Sequence, residues 1–541
     1  MSKFARLSLL TLTILLLVFC VSVIPADSEV DYTWETIVPG IESTEFQLPD
    51  PNNVFVVRMD RSNTDLTLES MVANGKLAEG RETVSQMYTR YNQSLNFWGG
   101  RNNPPDWGMR NQAVIAINGS YFDWSNGMPQ GGQIQAGWYA KRYDDLGGRT
   151  GFGWKLDRSA FIGECVTHRP EKQVITYPET GNIQQITNVN SLRDIDQLVI
   201  YTPQYNTRTG TSSSGVEVLV EMARPTMILP TPAYATGFVR QIKVNEGNSL
   251  IPFNSIILSA SGTQADILLA NVHVGSEIRI SQEITGYLAD CATPDTTVNW
   301  TKTYSSIQGD YYYLKNGNIQ DYFDDGAVAR NPRTAIAYND QYIFFIVVDG
   351  RDTQHSIGMS IHQLAEFTRD SLGAISAVAQ DGGGSSTLVI NGKVVNNTYC
   401  NNYPCTWKYA VYIPVIKRAI PPGQTIKPQV KNIIRSPAGI ERAVANGMLM
   451  VIAEPGEYSS TFQAGDPVTT HYDVNLSLGP GTNFGSIKAI PMGSQGIIAE
   501  QMNGLDGVLA NSSYWWYVNF SGVYGWIPED ALINQGFGDS K

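Results

Sequence analysis

Two apolar runs, RTAIA at 333–337 and YIFFIVV at 342–348, lie close together in the sequence with one short polar turn between them. Runs of this length that are rich in β-branched and aromatic residues predict neighbouring buried strands. A segment with apolar residues at helical spacing follows at 359–372, and another small strand is predicted at 375–379. Because buried strands need partners, this block restricts the chain to folds built around a β-sheet.

The rest of the chain has a similar pattern. Many short β-runs separated by Gly, Pro and Asn occupy residues 130–290, and one short helix is predicted at 83–91. A length of 541 residues suggests two to four domains. We therefore predict an α+β fold for residues 29–418, sheet-rich and with few helices.

The composition excludes one class of function. Hydrophobic residues make up 42% and charged residues 16% of the chain, which is typical of a globular protein with a real core. The formal net charge is −12, and the Lys and Arg residues form no basic stripe. Because binding to a phosphate backbone requires a basic surface, this composition argues against a nucleic-acid partner.

Residues 1–28 have the pattern of a secretory signal peptide. Lys3 and Arg6 precede an apolar run that ends near Ile24, and small residues stand just before Glu29, where cleavage is expected. An uncleaved membrane anchor is the alternative. Both interpretations place the mature protein outside the cytoplasm, either secreted or at the cell surface.

Four cysteines remain after such a cleavage: Cys165, Cys291, Cys400 and Cys405. An even number in an exported chain favours disulfides, and we predict the pairs Cys400–Cys405 and Cys165–Cys291, although three connectivities are open. No CxxC or HxxxH spacing accompanies the cysteines, and the five histidines are mostly far apart. The sequence therefore identifies no cofactor and no metal ligands, and it leaves a divalent cation open.

The segment AVAQDGGGSS at 377–386 is the strongest candidate for a functional loop. A small apolar run leads into Asp381 and three consecutive glycines, which are costly to order unless the backbone must approach something closely. Successive N–H groups in such a run can form a nest for an anion. The alternative is a tight turn that requires positive φ. Asn118 and Asp349 also follow predicted strands, so all three polar groups could meet at one rim of a sheet.

A serine nucleophile is a second interpretation of the same segment. Ser385 or Ser386 would need a histidine, and His355 is one candidate. The G-x-S-x-G pattern of a nucleophile elbow does not occur here, which disfavours this interpretation. A phosphate-binding P-loop is also disfavoured, since no Gly-Lys-Ser/Thr follows the glycines.

Four short motifs follow one another along the chain: AINGSYF at 116–122, NPRTAI at 331–336, VVDGR at 347–351 and DGGGSS at 381–386. In this order they resemble the phosphodiester glycosidase family, over roughly residues 50–418. Two positions depart from the family pattern, because Ser120 stands where Gly is common and Gln380 where an apolar residue is usual.

The resemblance implies an exported hydrolase that cuts the glycosidic bond of sugar-1-phosphodiesters, with a surface polysaccharide or cell-wall glycan as the expected substrate. Because a phosphate monoester is a weak base, it leaves with little acid help, and the enzyme must mainly stabilise an oxocarbenium-like centre and deliver a nucleophile. The carboxylate candidates are Asp381 and Asp349, with Asn118 to orient hydroxyls or water and His355 to assist proton transfer. The substrate-binding candidates are Arg333, Arg351, Thr334, Gly382, Gly383, Gly384, Ser385 and Ser386.

Two alternatives to this function stay open at the level of sequence. One is a noncatalytic carbohydrate-binding protein of the cell surface that keeps the fold. The other is an ordinary glycosidase, which would act on neutral glycosides.

Residues 419–447 are predicted to be a linker, followed by an independent β-module at 448–536. Segments at 475–484, 516–518 and 525–527 resemble the bacterial SH3-like family, which implies a small all-β barrel. That family often binds cell-wall or surface polymers, so such a polymer is the expected partner. A packing or spacer module is the alternative.

Overall fold

The computed structural model describes residues 32–93, 112–143, 150–155, 157–223, 234–300, 303–400, 403–404, 441–453, 459–481, 484–500, 506–510 and 513–534. The predicted signal peptide, residues 419–440 of the predicted linker and Cys405 lie outside these ranges. Among the described residues, no helix combines the length and the apolar character needed to cross a membrane.

Sheet I contains the two apolar runs at 333–337 and 342–348. It has eight strands in the spatial order Glu35–Val38, Ile41–Leu48, Asn52–Asp60, Tyr342–Val348, Arg333–Tyr338, Ser376–Ala379, Leu314–Lys315 and Asn318–Ile319. The predicted strands at 333–337 and 342–348 are confirmed as antiparallel neighbours, with Arg333 opposite Val348. On the other side, Ala335 lies opposite Ala379. This register brings Arg333, Asp349 and Asp381 to the same edge of the sheet.

Sheet II supplies the second wall of the core. Its five strands are, in spatial order, Lys393–Val394, Leu388–Ile390, Gln112–Asn118, Asn446–Ile452 and Leu66–Val72. The Asn391-Gly392 dipeptide predicts a tight hairpin, and the antiparallel strands on either side of it confirm this prediction. The strand at 446–452 is antiparallel to both of its neighbours, 66–72 and 112–118.

The predicted domain boundary at residue 448 is therefore wrong, because it cuts through a strand of sheet II. Residues 447–451 are fully or almost fully buried apolar or glycine positions. A strand of this kind must be covered on both faces, and its side chains pack in two apolar clusters of the larger region. The chain thus returns to sheet II after the predicted linker before it enters the C-terminal module.

Two further antiparallel sheets complete the larger region. Sheet III has the strands Thr285–Tyr287, Ala160–Thr167, Thr150–Lys155, Thr303–Gly309, Gln133–Gln135 and Trp138–Lys141. Sheet IV has the strands Ile183–Gln185, Gln173–Thr176, Glu277–Gln282, Ala235–Val244, Val216–Met222, Ser255–Ala260, Leu198–Tyr201 and Asn188–Val189, of which only the last pair is parallel. The predicted disulfide Cys165–Cys291 is confirmed. A two-stranded ribbon joins Tyr399–Cys400 to Tyr403–Pro404.

Helices are few, as predicted. The α-helices of the described residues are Val84–Gln93, Thr263–Asn271, Asp325–Val328 and Ile361–Asp370, and the 3-10 turns are Ala73–Gly75, Leu77–Glu79, Pro170–Lys172, Gly383–Ser385 and Glu529–Ala531. The helix at 361–370 begins with a capping box, in which the Ser360 hydroxyl accepts from the Gln363 N–H and the Gln363 side chain accepts from the Ser360 N–H. Its buried face packs on sheet I, with Leu364 and Ala337 in the same apolar cluster.

The main core lies between sheets I, II and III. Phe345 of sheet I, Ile117 and Met448 of sheet II and Phe152 of sheet III all belong to one buried apolar cluster. Because the strand at 112–118 is held in this core by Ile117, the next residue, Asn118, is fixed at the edge where the strands of sheet I also end.

The C-terminal residues form sheet V, which is all-β apart from one 3-10 turn among the described residues. Its strands are Ser486–Ile490, Val474–Ser477, Val523–Pro528, Ser513–Phe520, Gln495–Ile498, Pro467–Thr470 and Leu532–Asn534, with Gly507–Ala510 paired to Ser513–Phe520. It has its own buried core around Trp516. Trp526 faces the larger region, where its ring lies edge-to-face on Phe253 at 5.1 Å. The SH3-like assignment of this module stays a prediction.

Candidate active site

A cleft of about 520 Å³ opens at the edge where the strands of sheets I and II end. The residues that line it are Tyr121, Phe122, Trp124, Gly326, Asn331, Arg333, Arg351, Asp381, Gly382, Gly383 and Arg442. Three arginines and one carboxylate therefore face the same space, so the cleft is cationic in a protein whose formal net charge is −12.

Asp381 is the carboxylate of the cleft. It directly follows Gln380 at the end of the strand 376–379, and its own N–H donates to the Gly119 carbonyl at 2.9 Å. Burial raises the pKa of Asp381 to about 6, although a hydrogen bond from Ser385 and the charge of Arg442 both act to lower it. This carboxyl group therefore changes charge close to neutral pH, which is the range required of a general base or acid.

Steric crowding explains why glycine occupies the positions after Asp381. Gly383 has φ +63°, and an ideal Cβ there would lie 3.0 Å from Nη2 of Arg351. A Cβ on Gly382 would lie 2.7 Å from the Pro332 carbonyl oxygen. Both positions line the cleft, whereas Gly384, Ser385 and Ser386 are buried and do not line it.

Three N–H groups of the segment predicted to form an anion nest already have backbone partners. The N–H of Gly383 donates to the Pro332 carbonyl at 2.9 Å, and those of Ser385 and Ser386 donate to the carbonyls of Gly382 and Gly383. These three donors are therefore not available to a phosphate. The run instead gives the side chains of the cleft room to approach the backbone.

The two predicted arginines both line the cleft. Arg333 is 6% exposed, and its Nε donates to the Met359 carbonyl at 2.8 Å while its Nη2 donates to the carbonyls of Gly326 and Ala329, both at 2.7 Å. Arg351 has φ +63° and donates to Oδ1 of Asn331 at 3.1 Å through Nη2. Each guanidinium is thus held in place by neutral oxygen acceptors, which fixes its position.

Arg442 is the third arginine, and it lies in the segment that the sequence predicted to be a linker. Its Nη1 is 3.5 Å from the Ser385 hydroxyl, and its charge acts on Asp381. Burial lowers the pKa of Arg442, while the Asp381 carboxylate acts to raise it. It sits here because the strand that begins at Asn446 returns the chain to sheet II next to the cleft.

Asn118 and Thr334 hold the cleft together from beneath and do not line it. The Asn118 amide donates to the Asp381 carbonyl at 2.7 Å and accepts from the Thr334 hydroxyl at 2.7 Å and from the Thr387 N–H at 3.1 Å. Both side chains are fully buried. The predicted role of Asn118 in orienting substrate does not fit this geometry, because its hydrogen-bonding groups are already used by the protein.

Asp349 is also buried and does not line the cleft. Its carboxylate accepts from the Asn396 amide at 3.1 Å and from the Asn397 N–H at 3.0 Å. Burial raises the pKa of Asp349 to about 7, with these two hydrogen bonds acting in the opposite direction. The geometry places Asp349 in a supporting network and not at the reacting centre.

His355 lies on an exposed turn outside the cleft. Its Nδ1 is 2.9 Å from Oδ2 of Asp352, and its side chain is 70% exposed. Ser385 is buried and hydrogen-bonds to Asp381. The structure does not bring His355 to Ser385, so the serine–histidine pair considered at the sequence level is not assembled.

Six residues that line the cleft are not among the candidates predicted from the sequence: Tyr121, Phe122, Trp124, Gly326, Asn331 and Arg442. Tyr121 and Asn331 do fall within or next to the segments singled out above, so their position could have been found. Burial, followed by the nearby charge of Asp381, raises the pKa of Tyr121, which keeps its phenol neutral. Trp124 and Arg442 had no signal in the sequence.

Gln380, the unusual residue of the glycine segment, points away from the cleft into the interior. Its side chain is 3% exposed, and neither amide atom has a hydrogen-bond partner among the described residues. An ideal Cβ on Gly309 would lie 3.1 Å from Nε2 of Gln380, which shows how closely the backbone of sheet III approaches it. The structure supplies no hydrogen-bonding reason for this residue.

The described residues contain no group of three or more His, Cys, Asp or Glu side chains placed to hold a metal ion.

The cleft thus combines a buried aspartate with three arginines at the strand ends of a sheet-rich fold. The model of the phosphodiester glycosidase family matches residues 237–416, so the chain carries a phosphodiester glycosidase domain. The matched range contains Arg333, Arg351 and Asp381. It does not reach Tyr121, Trp124 or Arg442, which the tertiary structure adds.

Several solved structures are similar to the chain. A hypothetical protein from Synechocystis is 14% identical with a TM-score of 0.47, over 78% of this chain and 64% of that protein, which is less than two thirds of its length. A putative exported protein from Burkholderia pseudomallei is 18% identical with a TM-score of 0.44, over 74% of each chain. The catalytic domain of zebrafish N-acetylglucosamine-1-phosphodiester alpha-N-acetylglucosaminidase, auto-inhibited by its pro-peptide, is 13% identical with a TM-score of 0.34, over 78% of this chain and 86% of that one. No curated protein matched the sequence.

Proposed function

We propose that this protein hydrolyses the glycosidic bond of sugar-1-phosphodiesters and that Asp381 is its catalytic carboxylate. The observation that carries the proposal is the composition of the cleft, where one buried carboxylate stands among Arg333, Arg351 and Arg442. A neutral glycoside offers hydroxyl oxygens to three guanidinium groups but no negative charge. A phosphodiester carries a charge that they match, and the match to the phosphodiester glycosidase family supports the same class of substrate.

The arginines have the chemistry that the leaving group requires. When the bond between the anomeric carbon and the phosphate oxygen breaks, negative charge grows on the phosphate monoester. Guanidinium groups held in place before the reaction stabilise that charge without reorganising. Arg333 and Arg351 are fixed by backbone carbonyls and by Asn331, which gives them the required rigidity.

Asp381 has the properties of a nucleophile or a general base. Its pKa of about 6 leaves the carboxylate mostly ionised at neutral pH, so it can attack the anomeric carbon or activate a water molecule there. The neutral phenol of Tyr121 lines the same cleft and can donate a hydrogen bond to the substrate.

The decisive experiment is the hydrolysis of a synthetic methyl phosphodiester of N-acetylglucosamine 1-phosphate, and of matched phosphodiesters of other sugars, by the wild type and by Asp381→Asn. We expect the variant to lose at least 100-fold in kcat, since one catalytic carboxylate contributes on this scale. Asp123→Asn is the control, because Asp123 is an exposed carboxylate that does not line the cleft. Unchanged turnover in a folded Asp381→Asn protein would refute the assignment.

The same assay separates the two other functions. An ordinary glycosidase would turn over neutral nitrophenyl glycosides faster than the phosphodiesters. A noncatalytic carbohydrate-binding protein would bind the phosphodiesters and release no sugar from any of them.

The proposed setting is extracellular. The Cys165–Cys291 disulfide supports an oxidising compartment, in agreement with the predicted signal peptide. The all-β C-terminal module is proposed to bind a cell-wall or surface polymer and to hold the catalytic cleft near its substrate. The extracellular setting is tested by expressing the full-length chain in a secreting host and determining the N-terminal sequence of the secreted protein. Cleavage of the predicted signal peptide is the expected result.

A further inference from the structure

An exposed tryptophan stands at the outer side of the cleft between two arginines. The Trp124 side chain is 60% exposed although it lines the cleft. The guanidinium carbon of Arg442 is 5.0 Å from the centre of its ring, and that of Arg81 is 5.3 Å from the same centre. The Phe122 ring lies 5.1 Å from the Trp124 ring. An aromatic face with two cations can bind the apolar side of a sugar ring and a neighbouring anion together.

Arg81 is the unusual member of this group. It is exposed and makes no hydrogen bond or ion pair with any described residue, and its guanidinium carbon lies 5.8 Å from the centre of the Phe122 ring and 5.3 Å from that of the Trp124 ring. Arg58 shows the ordinary arrangement, because it also lies over two aromatic rings but forms an ion pair with Glu42 at 2.6 Å. The charge of Arg81 is therefore available to a ligand.

The arginines form a row that continues outward from the candidate phosphate site. Arg351 lies against the glycine run at the floor, Arg442 lies between the Ser385 hydroxyl and the Trp124 ring, and Arg81 lies on the Trp124 ring outside the cleft lining. A single phosphodiester presents one phosphate and cannot occupy the whole row. A chain of sugars joined by phosphodiesters presents a second phosphate one sugar away from the first.

We infer that Arg81, Trp124 and Arg442 form an outer subsite that binds the next phosphate-bearing unit of a polymeric substrate. The inference rests on the proposed function, and it assigns the substrate class as a poly(sugar phosphodiester). In this arrangement the neighbouring sugar stacks on Trp124, and its phosphate pairs with Arg81 and Arg442.

The test compares two synthetic probes, a single methyl phosphodiester of N-acetylglucosamine 1-phosphate and the corresponding two-unit oligomer with two phosphodiesters. For the full-length wild type we expect kcat/KM to be about tenfold higher for the oligomer, the scale of one charge-assisted contact. Arg81→Gln and Trp124→Ala should each reduce this ratio towards one. Arg169→Gln is the control, since Arg169 is partly exposed and pairs with Glu171, and it should keep the wild-type ratio.

Added salt should lower the oligomer preference of the wild type more than that of Arg81→Gln, because one screened charge pair is missing in the variant. UDP-N-acetylglucosamine is a third probe, in which two phosphates are adjacent. A larger dependence on Arg81 for this nucleotide than for the oligomer would overturn the assignment to a polymer. Equal values of kcat/KM for the single phosphodiester and the two-unit oligomer in the wild type would also overturn it.

Failure of the proposed function would give a different result. If the wild type cleaves none of the probes, binding of the same probes is measured by calorimetry. Tighter binding of the two-unit oligomer that depends on Arg81 and Trp124 would support the subsite, while the hydrolase assignment would fall. Binding that is equal for the two probes, or unaffected by Arg81→Gln, would overturn the subsite itself.

Discussion

The Asn396 amide donates to the Asp349 carboxylate at 3.1 Å and to the Ser386 carbonyl at 3.0 Å, while its oxygen accepts from the Leu388 N–H at 2.8 Å. One buried side chain therefore connects the end of the strand 342–348 to the far end of the glycine run. Asp349 acts through this connection on the position of the cleft, and its own carboxylate does not line the cleft.

This arrangement predicts a pH-dependent stability that Asp349→Asn should remove. Burial raises the folded-state pKa of Asp349 to about 7, above its value in the unfolded chain. Its contribution to stability is therefore present below about pH 4 and is lost as the pH rises through 7. The unfolding free energy of Asp349→Asn relative to the wild type should rise between pH 4 and 8, by on the order of 4 kcal/mol at most.

Urea unfolding at pH 4, 6 and 8 measures this difference. Asp290→Asn is a control of opposite sign, because hydrogen bonds from Thr293 and Ala292 lower the pKa of exposed Asp290 to about 2. That variant should lose stability relative to the wild type as the pH rises. A flat pH dependence for Asp349→Asn would show that burial does not govern this carboxyl group.

The pH at which catalysis is lost should depend on the hydrogen bond between Ser385 and Asp381. If ionised Asp381 is required, kcat/KM falls as the pH decreases through about 6. Ser385→Ala removes a hydrogen bond that lowers this pKa, so the fall should move to higher pH. Ser386→Ala is the matched control, since the Ser386 hydroxyl is buried without a hydrogen-bond partner among the described residues. Equal shifts in both variants would contradict the proposed contact.

Replacement of Gly383 by Ala should impair the protein for two separate reasons. Ala at this position adopts φ +63°, which costs about 1–3 kcal/mol, and its Cβ contacts Arg351. Gly373→Ala isolates the first effect, because Gly373 has φ +62° and open space around its Cβ position. We expect both variants to be destabilised and only Gly383→Ala to show a raised KM for the phosphodiester. Thermal unfolding and steady-state kinetics on both proteins test this, and an unchanged KM for Gly383→Ala would argue against Arg351 as a phosphate ligand.

Replacement of Gln380 by Met should stabilise the protein. A buried amide with no partner costs about 1–3 kcal/mol, and Met fills a similar volume without polar atoms. We expect an increase of about 1 kcal/mol in the unfolding free energy. A clear loss of stability would mean that the amide makes interactions that outweigh its burial.

The boundary of the larger region can be tested by truncation. A chain that ends at residue 445 lacks the strand 446–452, which leaves the strands 66–72 and 112–118 without the partner between them. It should not fold, as judged by circular dichroism and proteolysis. A chain that ends at residue 453 keeps this strand and should fold with reduced stability, since Phe253 loses its contact with Trp526. Equal folding of both truncated chains would contradict the assignment of this strand to sheet II.

Local patterns were sufficient for several features. The strands at 333–338 and 342–348, the helix at 361–370 and the Asn391-Gly392 hairpin each depend on neighbouring residues and were predicted correctly. Asp381, Arg333 and Arg351 were also candidates from the sequence, and all three line one cleft.

Other features depend on residues that are far apart in the chain. Asp349 and Asp381 have the same local pattern of a strand followed by Asp-Gly, yet only Asp381 lines the cleft. Their difference comes from Asn396 and Asn397, which cover Asp349, and no local pattern reports such a contact.

The sequence by itself determined the sheet-rich fold class, the phosphodiester glycosidase resemblance and the glycine segment, since these depend on side-chain periodicity, turn residues and short motifs. Only the tertiary structure decided that Arg442 and Trp124 join Asp381 in the cleft, and that Asn118 and Asp349 lie beneath it. The physical reason is the strand at 446–452, whose buried apolar residues find their place in sheet II and carry Arg442 with them.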